Sequence, residues 1–290
     1  MRPNIPLLFV LGLLGVLSAT LVAQEAPVPA SIMIPRPSAE EIAQAERSLQ
    51  EYKNSLDPAM AAIVGKYPEL IEVRPPRINS AIVPSLWRGF FQKHNNNVQR
   101  AKQGDISVLF MGDSITDFWR NEEGNYAGKP VFDEYFADMN VANFGIAGDT
   151  TQGVLYRLQN GEGENFDPKA VMLMIGTNNT RQNTSAEIAE GIGAVVLQLQ
   201  NNFPSARILL LAVFPRGDAN DSLRAINDGV NAIIKTLHDG DRVFFLDIGH
   251  IFLDESGNIP ADIMVDGLHP STKGYRLWAE AIIEPLSDLL

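Results

Sequence analysis

The stretch Ile106–Thr116, ISVLFMGDSIT, decides how the chain folds. Ile106, Val108, Leu109 and Phe110 are strand formers with no polar alternate, the pattern of a central strand covered on both faces. The run stops at Gly112-Asp113-Ser114, and a helix-compatible stretch follows. Ser114 therefore stands at the carboxyl end of a strand, where open α/β sheets bind their ligands. A glycine before the turn lets the backbone bend sharply, and the amides that open the next helix face whatever lies over the serine. The serine is a candidate nucleophile with an anion-stabilising amide beside it. On three residues alone, an ordinary Gly-Asp-Ser turn is the competing reading.

Outward from this stretch the pattern alternates. Strand-like runs at 141–144, 170–175, 207–213 and 243–246 lie among helical stretches at 130–138, 150–160, 185–202, 223–237 and 271–290. Thr184 and Glu187 stand at capping-box spacing, and Gly161 supplies a stop after Asn160. Strict alternation predicts a parallel sheet with helices on both faces. No internal repeat and no second core of comparable size is visible, so residues 84–290 are expected to form one α/β catalytic domain.

Residues 24–83 read as a proline-rich linker and a helical extension. Pro27, Pro29, Pro35 and Pro37 predict an extended linker over 24–37. Ser38 and Glu41 then make a capping box, and Ile42, Ala45, Leu49, Tyr52 and Leu56 share one helix face, expected to pack on the main domain or to bind a partner. Asp57-Pro58 opens a short second helix, and Trp87, Phe91, Val98 and Ala101 predict the apolar face of a helix ending at Gly104. Residues 1–23 carry Arg2, an apolar run from Leu7 to Leu17 and the small residues Ser18, Ala19 and Thr20. They read as a secretory signal peptide, or as an uncleaved anchor, and on either reading export is expected.

The formal charge of −12 and the absence of any Lys/Arg cluster argue against a nucleic-acid partner. The chain has no cysteine, which removes disulfides, thiolate catalysis and cysteine-rich zinc sites. Its four histidines show no helical pair spacing, so neither a metal nor another cofactor is expected. Covalent chemistry then falls to an oxygen or an amine.

A serine hydroxyl needs a base to take its proton. His94 lies upstream of the sheet, His238 ends a helix, and His250 has only Asp247 near it, placed to cap a turn. His269 sits in Asp266-Gly-Leu-His269-Pro270, ahead of the last helix. A turn through Gly267 can set the Asp266 carboxylate on one imidazole nitrogen and leave the other for Ser114. A polar histidine opening a helix is the alternative reading. Acyl transfer also needs donors for an oxyanion, and three are available: the Ser114 amide, an amide of the Gly145–Asp149 loop and a side chain of the Gly176–Asn179 loop.

These blocks resemble the GDSL-type SGNH hydrolase family. Gly112-Asp113-Ser114 is similar to its first block, Asn143-Phe-Gly145-Ile-Ala-Gly148-Asp149 to the second, Gly176-Thr-Asn178-Asn179 to the third, and Asp266 with His269 to the last. Within that family, NFGIAGDTTQGVLYRLQNGE (143–162) and LAVFPRGD (211–218) resemble the catalytic subunits of intracellular platelet-activating-factor acetylhydrolases. The resemblance covers about residues 105–290. It implies a flavodoxin-like three-layer α/β/α sandwich with five parallel strands, a triad of Ser114, His269 and Asp266, and an oxyanion hole from Ser114, Gly148 and Asn178. Asn179 departs from the aspartate common in the family, a change expected to touch loop packing.

The expected activity is hydrolysis of short-chain acyl esters, acetyl above all, on a small molecule or a glycan. Lipid esters are the alternative substrate, and an inactive ligand-binding module the alternative class. Ile115, Thr177 and Leu268 neighbour the catalytic positions and are candidates to crowd a small acyl pocket. Trp119, Tyr126 and Phe214 are candidates for a sugar or headgroup platform, with core packing as the competing role. Arg216 either steers an anion or braces its loop. A homodimer is compatible with the sequence.

Overall fold

The computed structural model describes residues 24–74 and 76–290, so the segment 1–23, expected to be a signal peptide or an anchor, lies outside the described residues. In chain order the elements are α1 (Ala39–Ser55), α2 (Pro58–Lys66), α3 (Phe91–Lys102), β1 (Val108–Gly112), α4 (Ser114–Asp117), α5 (Lys129–Phe136), β2 (Val141–Asn143), α6 (Thr151–Arg157), β3 (Ala170–Met174), α7 (Ser185–Asn202), β4 (Arg207–Leu211), α8 (Ser222–Ile234), β5 (Val243–Leu246) and α9 (Thr272–Ser287). All five strands are parallel, in the order β2-β1-β3-β4-β5. That is the flavodoxin-like order, with its switch point beside β1.

The period of two along the central strands sorts side chains into two cores. Val108 and Phe110 of β1 join Ala170, Met172 and Met174 of β3 in the layer under α5 and α9, which includes Trp119, Tyr275 and Trp278. Leu109 and Met111 join Val171 and Leu173 in the opposite layer, under α6, α7 and α8. Every residue of β1 and β3 is buried, which is why these strands read as unbroken apolar runs. The capping boxes at Ser38/Glu41 and Thr184/Glu187 both form. The helical geometry breaks at Asn160 and Gly161, the glycine at φ +105°, where the stop signal stands. The ladder ends earlier than expected in β4, because the Val213 amide leaves it to donate to Asn231 Oδ1 at 2.8 Å.

The amino-terminal region departs from its expectations. Residues 24–37 are extended apart from one 3-10 turn at Ala30–Ile32, and they dock on α7: Ile32 is buried, and Glu190 accepts from the Ile34 amide at 2.7 Å, Arg36 at 2.9 Å and Asn79 at 2.8 Å. The α1 stripe does not pack as expected, since no residue of that helix is buried and Tyr52 is half exposed. On α3 the buried face is His94, Asn97 and Ala101, whereas Trp87 precedes the helix and, like Phe91, stays exposed. Buried acceptors decide that rotation: Glu162 takes hydrogen bonds from His94 Nδ1 at 2.8 Å and Asn97 at 3.3 Å.

Candidate active site

At the carboxyl end of β1 the carboxylate of Asp113 caps α4, its Oδ1 accepting the Ile115 amide at 3.0 Å. Ser114 is the first residue of that helix and 6% exposed. Its Oγ lies 2.9 Å from Nε2 of His269, and Nδ1 of the same ring lies 2.7 Å from Oδ2 of Asp266. Ser114 and the Asp266–His269 turn, 155 residues apart for Ser114 and His269, therefore meet at one point. The other Asp266 oxygen accepts the backbone amides of Leu268 at 3.1 Å and His269 at 2.8 Å, a turn that fixes the carboxylate against the ring. Burial pushes the Asp266 carboxyl upward, but hydrogen bonds from the His269 side chain and backbone outweigh it and hold the group below its ordinary value. The acid thus stays ionised under the imidazole. Phe118 and Tyr126, stacked on each other at 5.6 Å, pack against the ring with centroids 5.1 and 5.4 Å away, and the Tyr126 hydroxyl donates to Asp266 Oδ2 at 3.2 Å.

The loop after β2 is pulled onto α4. Asn143 donates to the Thr116 carbonyl at 2.7 Å and accepts the Gly145 amide at 2.9 Å, while Asp117 accepts the Ala147 amide at 2.8 Å and pairs with Lys93 and Arg120. A Cβ at position 145 would overlap the Asp117 backbone, so only glycine permits this approach. Gly148 follows at φ +86°, a conformation that disfavours side chains, with its backbone exposed. The Ser114 and Gly148 N–H groups have no acceptor among the described residues. Asn178 donates one N–H to the Asp149 carbonyl at 2.8 Å, which docks it beside Gly148 and leaves its second N–H unspent. Asn179 turns the other way: it accepts the Thr151 amide at 3.1 Å and donates to Gln152 at 2.9 Å, a loop-packing role.

Beneath the loop lies a buried network that the sequence did not announce. Arg157 bridges Asp149, at 2.8 Å, and Glu162, which in turn holds His94. Arg157 also donates to the Phe144 carbonyl at 2.9 Å, so it braces the segment that leads to Gly148. The only local hint was polar residues spaced along α3. Asp113 is a further buried acid: burial raises its carboxyl to about 7, and its Oδ2 has no partner among the described residues.

Several expected pocket residues lie elsewhere. Ile115 and Thr177 are 1% exposed and leave almost no surface for an acyl group, while Leu268 is half-buried against the α9-side core. Trp119 and Phe214 are core residues, so of the three platform candidates only Tyr126 reaches the site. Arg216 braces, donating to the Thr177 carbonyl at 3.1 Å and hydroxyl at 3.2 Å. His250 and His238 stand apart from Ser114; Asp247 caps the Gly249 amide at 2.9 Å, and His238 Nδ1 accepts the Phe245 amide at 3.1 Å.

A serine hydroxyl, an imidazole and a carboxylate thus lie within hydrogen-bond reach of one another at the switch edge of a five-stranded parallel sheet. Residues 110–277 match the GDSL-like Lipase/Acylhydrolase family, and the chain belongs to it. It is 37% identical over 202 residues to platelet-activating factor acetylhydrolase IB subunit alpha2 of Rattus norvegicus, an alignment covering 69% of this chain and 83% of that protein. The fold is also that of a GDSL-like lipase from Bacteroides thetaiotaomicron, with TM-score 0.52, 19% identity and coverage of 69% and 98% of the two chains. An acetylxylan esterase from Geobacillus stearothermophilus superposes with TM-score 0.50 at 23% identity, over 64% of this chain and 96% of that one. The protein is a carboxylic ester hydrolase.

Proposed function

We propose that the protein hydrolyses short-chain acyl esters, acetyl esters first, by a Ser114–His269–Asp266 mechanism. The observation that carries this is the unbroken contact of Ser114 Oγ with His269 Nε2 at 2.9 Å and of His269 Nδ1 with Asp266 Oδ2 at 2.7 Å. His269 takes the Ser114 proton as Oγ attacks the ester carbonyl, and Asp266 stabilises the imidazolium. The Ser114 and Gly148 amides and the spare N–H of Asn178 receive the oxyanion. As the tetrahedral intermediate collapses, His269 passes the proton to the departing alcohol. Water then attacks the acyl-serine with the same base, releasing the acid and restoring the hydroxyl. The acetyl preference is supported by the name of the alpha2 relative, an acetylhydrolase.

Replacing Ser114 with Ala is expected to abolish 4-nitrophenyl acetate turnover and labelling by a fluorophosphonate, and undiminished hydrolysis would remove the serine from the mechanism. A series of nitrophenyl esters checks acyl length, with octanoate cleaved faster than acetate counting against the acetyl reading. Export completes this reading, on the charged, apolar and small-residue order of residues 1–23. Amino-terminal sequencing of protein recovered outside the cytoplasm tests it: an intact Met1 on freely soluble cytoplasmic protein would count against it.

A further inference from the structure

A cleft of about 610 Å³ is lined by the Gly148 loop and by the segment that precedes α3. Trp87 and Phe90, both upstream of the residues matched to the family, line it together with Gln152 and Gln182. Trp87 is 68% exposed, whereas Trp119 and Trp278, the other two tryptophans of the chain, are fully buried. An indole left in water is held there by its neighbours. It lies over Gly89, where a Cβ would collide with the ring, and packs edge-to-face on Phe90 with centroids 5.1 Å apart. Phe90 in turn reaches the Gly148 loop, its Cζ standing 3.4 Å from where a Gly148 Cβ would be. The Ser85 amide donates to the Gln152 carbonyl at 3.1 Å and ties this strand of chain to α6.

The polar groups of the cleft are neutral. Gln152 spends its carbonyl oxygen on Asn179 at 2.9 Å and on Thr151 at 3.3 Å, which leaves its NH2 free of protein acceptors among the described residues. The Gln182 side chain is exposed and makes no hydrogen bond among them. No Lys or Arg lines the cleft, and its single acid, Asp149, is turned inward onto Arg157. A second, more open depression shares Gln182 with it and is lined by charged groups, Arg77, Arg181 and Glu187 among them.

On these observations we propose that Trp87 and Phe90, with Gln152 and Gln182, form a glycan subsite that seats a pyranose ring of an acetylated oligosaccharide beside the catalytic serine. The C–H face of a pyranose packs on an aromatic face, and neutral carboxamides donate to and accept from its hydroxyls. A phosphate headgroup would find no cation in this cleft to replace its water. The assignment deepens the proposed esterase reading and rests on it for the position of the scissile ester.

The test compares acetylated xylotetraose and cellotetraose with 4-nitrophenyl acetate on the intact protein. Trp87→Ala is expected to lower the ratio of kcat/KM for an oligosaccharide to that for 4-nitrophenyl acetate roughly 5- to 10-fold, mostly through KM, with Trp87→Tyr recovering most of it. A binding arm needs no turnover: unacetylated tetraose added to the Ser114→Ala protein is expected to shift the emission of the exposed tryptophan saturably. An unchanged ratio in Trp87→Ala, no turnover of either acetylated tetraose by an enzyme active on 4-nitrophenyl acetate, or flat emission into the millimolar range would each overturn the subsite. So would Trp87-dependent cleavage confined to an acetylated choline phospholipid. Hydrolysis surviving in Ser114→Ala would instead refute the serine mechanism and leave the binding arm to judge the subsite.

Discussion

Asp266→Asn tests the geometry of the relay at a single atom. In the folded protein one oxygen of Asp266 accepts two backbone amides, from Leu268 at 3.1 Å and His269 at 2.8 Å, and the other accepts His269 Nδ1–H at 2.7 Å. An asparagine here has no choice of orientation. Its carbonyl oxygen must face the two amides, since an NH2 there would oppose two donors, and the NH2 therefore points at Nδ1. Nδ1 can meet a donor only as an acceptor, so the ring proton moves to Nε2. That nitrogen lies 2.9 Å from Ser114 Oγ and, once protonated, cannot take the hydroxyl proton. The Tyr126 hydroxyl can rotate to accept from the new NH2, so it does not restore the original tautomer. The same replacement in the chymotrypsin-type triad costs about 10⁴-fold in kcat, about 5.5 kcal/mol of barrier, and the same tautomer argument applies here. The assay is 4-nitrophenyl acetate turnover under saturating substrate, with the unfolding midpoint measured alongside, which is expected to stay near wild type because the turn keeps both backbone hydrogen bonds. A variant that folds normally and keeps more than about a tenth of wild-type kcat would refute the assigned roles of Asp266 and His269.

Other outcomes follow from the loops and the buried acids. Asn178→Ala removes the spare N–H and its tether to Asp149, and turnover is expected to fall about 10²- to 10³-fold with the fold intact; a loss under threefold would show that Asn178 does not serve the oxyanion. Asp113 gives a prediction of opposite character, in stability against pH. Folded, it holds its proton up to about pH 7, while the unfolded chain releases it near 3.8, so between those values the folded state binds more protons and the stability due to this group falls as pH rises. The total is about 4 kcal/mol at roughly 1.4 kcal/mol per unit. Asparagine keeps the acceptor for the Ile115 amide and cannot ionise, so urea unfolding is expected to show Asp113→Asn gaining on wild type by that order from pH 4 to pH 8, and parallel curves would show that the carboxyl is ionised throughout.

The relation between text and fold is clearest in particular residues. Along β1 and β3 burial on both faces admits only apolar residues, so Val108–Met111 and Ala170–Met174 announced their place without any neighbour being known. The capping boxes and Gly161 are equally local, because each side chain or backbone angle acts on residues within one turn. Parallel alternation then put the loops of Ser114, Gly148 and Asn178 at the carboxyl ends of the strands, on one edge, while the flavodoxin-like arrangement came from the family resemblance. The faces of α1 and α3 were misread for the opposite reason. A helical stripe says which residues share a side, but not which side meets a partner, and on α3 the buried Glu162 drew His94 and Asn97 inward in place of Phe91. Ile115 and Thr177 stand next to the candidate catalytic residues in sequence yet are buried in the fold, and Trp119 and Phe214 are spent on the core.

What the polypeptide determined by itself was everything carried by periodicity and by short-range backbone geometry: a doubly covered parallel sheet, its helix caps, and a serine at a strand end with an Asp-x-x-His turn far downstream. Only the tertiary structure decided that the imidazole of His269 points at Ser114, that Arg157 lies beneath the Gly148 loop, and that Trp87 faces water beside it. Those are matters of side-chain direction across elements distant in sequence. Direction there is set by the packing of whole layers and by which buried polar groups must find partners, and neither leaves a mark within a window of one or two turns.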